Sequence, residues 1–377
     1  MKKENYVMEK IRCGIAGVVG RGQIYVDPML ACDFAEITAI CDLKEDGLKQ
    51  YAEKIGGNVK CFTNYEEMID SGLLDVVVIA TPIPCHVPQS IYALERDINV
   101  VCEVAAAETV EECKKLYKAV KKSKAQYMMA ENCNFYKLFI ILDGIIKAGL
   151  LGEVHYAEGQ YLHCLGLPKK DEWRSETLWG ANYCTHNLGP MLQWFDNERI
   201  TKICCVGSGR HAKFADADGE VKREKANILL CRTESGRLMQ VRLDFDTPTP
   251  YMLPFEVSGE KGRAIIRTTA PVEESYIHLT SSDFDHTHFA EEWKSLQYFE
   301  REFLTESWNE VCEKIPNTGH ARADCVMVWD ILKALRDGRK LPIDIDMAMN
   351  MTLPGILSKE SIERGGEWID IPNLDED

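Results

Sequence analysis

The chain has 377 residues, 45% of them apolar and 28% charged, a balance typical of folded proteins with a sizeable core and foreign to disordered or fibrous chains. Its net charge of −16 opposes binding to nucleic acid or to an anionic membrane surface. No stretch approaches the ~18 uninterrupted apolar residues of a membrane helix, and the charged opening MKKENYVMEK lacks the apolar core of a signal peptide.

At roughly 150 residues per domain, the length predicts two domains. Strand and helix patterns alternate through the first third. Ile11–Gly17 is an apolar run ending in glycines, Gln23–Cys32 has helical spacing, and Ile37–Cys41 is a second apolar run closed by Asp42. Asp46–Ile55 is helical in pattern, and Val76–Ala80 is a β-branched run suited to a strand buried on both faces. Val87–Glu95 and Thr109–Lys122 are amphipathic helices around the strand Asn99–Cys102, and Tyr127–Ala130 is a further strand. This order predicts an α/β doubly wound parallel sheet.

Beyond about residue 150, strands follow one another: Val154–Leu162, Lys202–Ser208, Asn227–Arg232, Leu238–Phe245, Phe255–Ser258 and Ala264–Arg267. Several alternate apolar and polar residues, which predicts a mainly antiparallel sheet. Helical patterns return at Phe289–Ile315, Arg322–Asp337 and Met347–Ile362, giving a second, α+β domain. The expected division is residues 1–133 for the first domain and 134–377 for the second.

Fifteen cysteines lie singly inside apolar runs, apart from the neighbours Cys204 and Cys205, with no Cys-x-x-Cys spacing. They fit small buried hydrophobes rather than a zinc or iron–sulfur site. Reduced thiols and a cytoplasmic location are the corresponding expectation. His286-x-His288 has no acidic or cysteine partner at ligand spacing, so no metal is expected.

The stretch GVVGRG, Gly17–Gly22, follows a strand and precedes a helical pattern. Gly17 and Gly22 occupy the outer places of the dinucleotide-binding pattern G-x-G-x-x-G, where one glycine permits the tight turn and another lets helix and strand pack closely. Val19 stands in the middle place, and Gly20 beside it keeps the backbone approachable. Asp42 follows Gly22 by 20 residues at the end of the second strand, placed to accept both ribose hydroxyls and to repel a 2′-phosphate. NAD is therefore the expected cofactor.

VVVIATPIPCH (Val76–His86) and INVVCEVAAAETVEECKKL (Ile98–Leu116) resemble segments of the glucose–fructose oxidoreductase/inositol dehydrogenase (Gfo/Idh/MocA) family. That resemblance implies NAD(P) binding, a second domain with a large open sheet, and a sugar or polyol substrate. It also implies a homodimer or homotetramer. It places Arg21, Thr81, Pro82, His86, Glu103 and Asn132 with the turn residues Gly17, Gly20, Gly22 and Asp42 as the cofactor-binding set. Most dehydrogenases of the family carry Glu-Lys-Pro where this chain has Glu103-Val104-Ala105, and valine can neither donate nor accept a proton. EVAAAETVEEC, YMMAENC, EGQYLHC, WGANYCTHNLGP and the C-terminal segment from His320 resemble a narrower clade. These are the family's NAD-dependent glycosidases, glycoside hydrolase family 109, typified by bacterial α-N-acetylgalactosaminidases.

Such glycosidases oxidise a sugar at C3 with NAD, eliminate the C1 substituent, add water and return the hydride. The route needs several proton transfers, which imidazole near its ordinary pKa of ~6.5 and phenol groups can supply. Tyr161 and His163 lie two apart on a strand and share a face, and Tyr183 and His186 lie three apart at a helix start. By resemblance these four are catalytic, while Glu131, Trp173, Arg174 and His320 are substrate-binding. A dehydrogenase releasing a 3-keto sugar is the alternative, and a sugar- or NAD-sensing regulator a further one.

Overall fold

The computed structural model describes residues 10–164, 180–209, 224–269, 272–280, 292–315 and 320–375. They fall into two compact units, one built from the described residues up to Ala107 with Glu112–Ala130 and Ser307–Ile345, the other from Glu108–Glu111, Glu131–Glu306 and Asp346 onward.

In the first unit, β1 (Ile11–Ala16), β2 (Ala35–Cys41), β3 (Lys60–Phe62), β4 (Val76–Ile79), β5 (Asn99–Cys102) and β6 (Tyr127–Met129) form one sheet. All neighbours are parallel, in the order β3-β2-β1-β4-β5-β6. Val76–Ile79 is buried along its whole length, as a strand covered on both faces requires. The helix expected over Gln23–Cys32 is two pieces, a 3₁₀ turn Arg21–Tyr25 and α1 (Val26–Leu30). Pro28 falls in the first turn of α1, where its missing N–H has no intrahelical partner to lose. The order reverses between β1 and β4, the switch point at which open α/β sheets bind ligands.

Ser307–Ile345 returns to this unit, which a single cut after residue 133 does not describe. The helix Ala323–Arg336 packs Trp329 edge-on against Phe34, with ring centroids 6.3 Å apart, and Met129 N–H donates to the Ile343 carbonyl at 3.2 Å.

The second unit holds a nine-stranded sheet among the described residues. Its strands are β7 (Val154–Leu162), β8 (Ile200–Gly207), β9 (Ala226–Thr233), β10 (Leu238–Asp244), β11 (Phe255–Gly259), β12 (Gly262–Thr269), β13 (Val272–Leu279), β14 (Lys294–Ser295) and β15 (Ile369–Asp370). The order is β14-β13-β12-β11-β7-β10-β9-β8-β15, and only β7 and β10 run parallel. The helix Thr185–Trp194 has almost no exposed residue, so it lies within the core rather than on its edge. Of the helical stretch expected over Phe289–Ile315, the described residues form instead a short strand, a 3₁₀ turn Leu296–Phe299 and helices Glu300–Phe303 and Glu306–Lys314. Two local signals break it: Ser295 pairs with Tyr276 and then caps Gln297 N–H, and Leu304 is extended, with φ −74° and ψ 133°.

No described helix is long and apolar enough to cross a membrane. No disulfide links any of the described cysteines.

Candidate active site

The glycine turn sits at the C-terminal end of β1. Gly17 has φ +80°, and a Cβ there would stand 2.5 Å from the Ala80 carbonyl oxygen, so both conformation and space demand glycine. A Cβ on Gly22 would meet Gly17 O at 2.7 Å and an Ile15 methyl at 2.9 Å, the close helix–strand approach that the last glycine of such a turn allows. Gly20 is open, its nearest atom to a built Cβ being Gly17 O at 3.7 Å. The side chain of Val19 is turned toward Gly47, where a Cβ would lie 2.6 Å from a valine methyl. Gly47 thus makes the room for Val19 that a glycine in the middle place would have made unnecessary. Sequence reasoning overlooked it because it lies in a helix 28 residues downstream.

Asp42 is half-buried at the end of β2. One carboxylate oxygen accepts Val19 N–H at 2.9 Å and the other accepts Lys44 N–H at 3.0 Å. Two hydrogen bonds leave about two acceptor positions for ribose hydroxyls. The open Gly20, the tight Gly17 and this carboxylate fit a dinucleotide with an unphosphorylated 2′-hydroxyl.

Other residues assigned to the cofactor have internal partners. The Arg21 guanidinium bonds Glu103 at 2.9 Å and Asp324 at 3.0 Å. Burial opposes its charge, but Glu103 and Asp324 outweigh burial and raise its pKa. Glu103 also accepts the Tyr25 hydroxyl at 2.8 Å, and burial, then Glu103, pushes that phenol well above its ordinary value. His86 is 1% exposed, with Nδ1 2.8 Å from the Ala105 carbonyl and Nε2 2.8 Å from the Thr81 carbonyl. Burial lowers its pKa despite those carbonyls. His86 ties the loops after β4 and β5 together, and Arg21 and Glu103 brace the turn. Thr81 donates its hydroxyl to Gln89 at 2.6 Å, and Pro82 starts the 3₁₀ turn Ile83–Cys85. His320 lies in this first unit, its Nδ1 2.6 Å from Asp324 and 3.4 Å from Arg21.

The second unit gathers the His and Tyr pairs. β7 delivers Tyr161, followed by His163, with the hydroxyl 3.2 Å from His163 Nδ1. The helix Thr185–Trp194, hereafter the site helix, has His186 in its first turn and Tyr183 just before it. The Tyr161 and His186 rings lie 5.1 Å apart, Tyr183 and His186 4.8 Å, and Tyr161 and Tyr183 5.6 Å. Parallel pairing sets Leu243 of β10 beside Tyr161. Phe245, just past that strand, reaches to 5.9 Å from Tyr161 and 6.1 Å from Tyr183. A bridge between Leu162 and Met252 brings in Tyr251, 5.6 Å from Tyr161 and 5.2 Å from His163. Phe245 and Tyr251 were missed by sequence reasoning; their only signal is the aromatic-flanked, proline-rich turn FDTPTPY.

Glu131 is 0% exposed and lies behind His186, its Oε1 2.6 Å from Nδ1 and 3.1 Å from Cys133 N–H. Burial alone would raise this carboxyl; His186 and the Cys133 N–H prevail and hold it below its ordinary value. An ionised carboxylate facing Nδ1 requires a proton there, which leaves Nε2 free to accept one. Tyr161 is pushed well above the ordinary phenol value by burial and then by Tyr183, so it stands as a proton donor at neutral pH. Asn132, assigned to the cofactor, is buried in the 3₁₀ turn Asn132–Phe135, and its side-chain oxygen accepts the Cys133 thiol at 3.7 Å. Val104 is buried. Trp173, Arg174 and the His286/His288 pair lie outside the described residues.

Residues 11–131 match the model of an oxidoreductase family with an NAD-binding Rossmann fold, and residues 137–376 match that of the glycosyl hydrolase 109 C-terminal domain. A Shewanella oneidensis protein named alpha-N-acetylgalactosaminidase is 26% identical over 403 aligned positions, covering 97% of this chain and 85% of the relative. A glycosyl hydrolase family 109 protein from a Shewanella strain matches at the same identity and coverage. Among solved structures, an NAD binding oxidoreductase from Klebsiella pneumoniae superposes with a TM-score of 0.80 at 15% identity, over 97% of this chain and all of that one. A levoglucosan dehydrogenase crystallised with NADH and levoglucosan gives 0.77 at 19% identity, with the same coverage. The chain belongs to glycosyl hydrolase family 109 and is an NAD-dependent enzyme built on the oxidoreductase family's NAD-binding Rossmann fold.

Proposed function

We propose that the protein is a redox-neutral glycosidase acting on a sugar glycoside through hydride transfer at C3. NAD, held at the turn of Gly17 and Gly20 and by Asp42, would supply reversible hydride-transfer chemistry at C3. The chain's own groups move the protons. His186, with Nδ1 held by Glu131, presents Nε2 as a base for a substrate proton, and a C2 proton beside a C3 ketone is acidic enough to be taken by imidazole. Tyr161 and Tyr183 supply phenol donors beside it, and His163 connects to Tyr161 across 3.2 Å. Phe245 and Tyr251 add apolar ring faces against which a sugar's C–H face packs.

The observation that carries this reading is the Glu131–His186 pair inside a ring of tyrosines, in a chain whose lysine position is Val104. Incubation with a panel of nitrophenyl and natural glycosides and stoichiometric NAD tests it, with mass spectrometry for free sugar and 3-keto products. The expected result is aglycone release without accumulating NADH absorbance. Steady NADH and a 3-keto sugar would make the protein a dehydrogenase instead, and neither signal with any glycoside would end the proposal.

A further inference from the structure

We infer that Glu131, Cys133 and His186 form a binding site for a thiophilic divalent cation of the zinc class. Its occupancy removes His186 from proton transfer, a consequence that rests on the role given to His186 above. One donor atom from each residue lies within 4.8 Å of the other two, and all three residues are buried. Carboxylate oxygen, thiolate sulfur and imidazole nitrogen are the donors that Zn2+ takes, at about 2.0–2.3 Å. Donors around such an ion stand about 3.2–3.8 Å apart, so closure needs side-chain shifts of about 1 Å.

Glu131 and Cys133 are two residues apart on one tight turn, so the backbone already holds two donors together. The first turn of the site helix brings the third. Glu131 Oε1 is engaged by His186 and Cys133 N–H, and the Thr185 hydroxyl hydrogen-bonds the same carboxylate. Three protein donors leave the fourth position of a tetrahedral ion for water or a substrate hydroxyl.

Binding breaks the Cys133 S–H bond and releases that proton to solvent, while metal–sulfur, metal–nitrogen and metal–oxygen bonds form. The neutral imidazole keeps its single proton but moves it from Nδ1, now on the metal, to Nε2. The lone pair that would accept the substrate proton is then gone. No electron changes hands.

The test titrates NAD-loaded protein with Co2+ in a background carrying Cys61→Ser and Cys312→Ser, which removes the two exposed thiols. A near-ultraviolet thiolate-to-cobalt charge-transfer band saturating at about one equivalent, reversed by chelator and lost on Cys133→Ser, is the expected result. Zn2+ then lowers aryl glycoside turnover by about 100-fold or more in the Cys133 protein. It leaves the Cys133→Ser variant within about twofold of that variant's own metal-free rate. Should that variant not fold, Cys133→Ala reads the same ligation. Absence of the band, or a band indifferent to the Cys133 substitution, overturns the site. A saturable, Cys133-dependent band with turnover intact supports the site and overturns the role of His186.

Discussion

Replacing Glu131 with Gln preserves the side-chain shape and removes the charge that orients His186. The substitution breaks a charge-assisted hydrogen bond of 2.6 Å between buried partners. Such bonds contribute about 1.5–3 kcal/mol, and about 1.4 kcal/mol corresponds to tenfold in rate, so kcat is expected to fall about 10- to 150-fold. If the amide nitrogen of the introduced glutamine turns toward Nδ1, the imidazole is forced into the opposite tautomer and the loss reaches about 10⁴-fold. The assay is kcat for aglycone release at pH 7, with NAD affinity and the thermal midpoint measured on the same samples. NAD affinity should stay within about twofold, because the bond that is lost is to His186, whereas Gly17 and Asp42 keep their conformation and partners. A variant that folds normally and keeps wild-type kcat would refute the argument that a buried carboxylate sets the His186 tautomer.

The same carboxylate makes acid stability testable. Its folded pKa is depressed, so its contribution is complete above about pH 4.3 and is lost as pH falls through the lowered value. Thermal midpoints of the wild type should therefore drop more steeply than those of Glu131→Gln between about pH 5 and pH 3. Asp42→Asn should weaken NAD binding by about tenfold and narrow the preference over NADP, as read by titrating each dinucleotide. Gly47→Ala drives a methyl into Val19 and should cost about 1–3 kcal/mol of stability together with cofactor affinity. Adding Val19→Gly should restore both, and failure of that rescue in a calorimetric titration would show that the two positions are not coupled. His320, Ala321 and Arg322 all have positive φ, between 48° and 72°. Ala321→Gly should relieve this and raise the denaturant midpoint by the equivalent of about 0.5–1 kcal/mol.

The first sheet was legible because buried parallel strands leave nearly continuous apolar runs such as Val76–Ile79, and because Asp42 lies a fixed distance past the glycines. The His and Tyr pairs were legible as neighbours along one strand and one helix start. Their convergence was not, since Tyr161 meets His186 only through the packing of the site helix against β7. Phe245 and Tyr251 depend on the parallel β7–β10 pairing and the Leu162–Met252 bridge, long-range pairings with no local pattern. Glu131, expected at the substrate on its motif, is buried and bonded to His186, a pairing across 55 residues that no local pattern announces. Arg21 likewise belonged to a binding motif, but Glu103 and Asp324, 82 and 303 residues away, claim its charge.

The Val19–Gly47 arrangement has an evolutionary consequence. What a nucleotide turn needs is an emptied volume above its backbone, and that vacancy can be supplied from a neighbouring helix as well as from the turn itself. A lineage is then free to carry bulk at the motif's middle place so long as a compensating absence persists one element away. Substitutions at the two sites should consequently be tolerated as a pair and rejected singly.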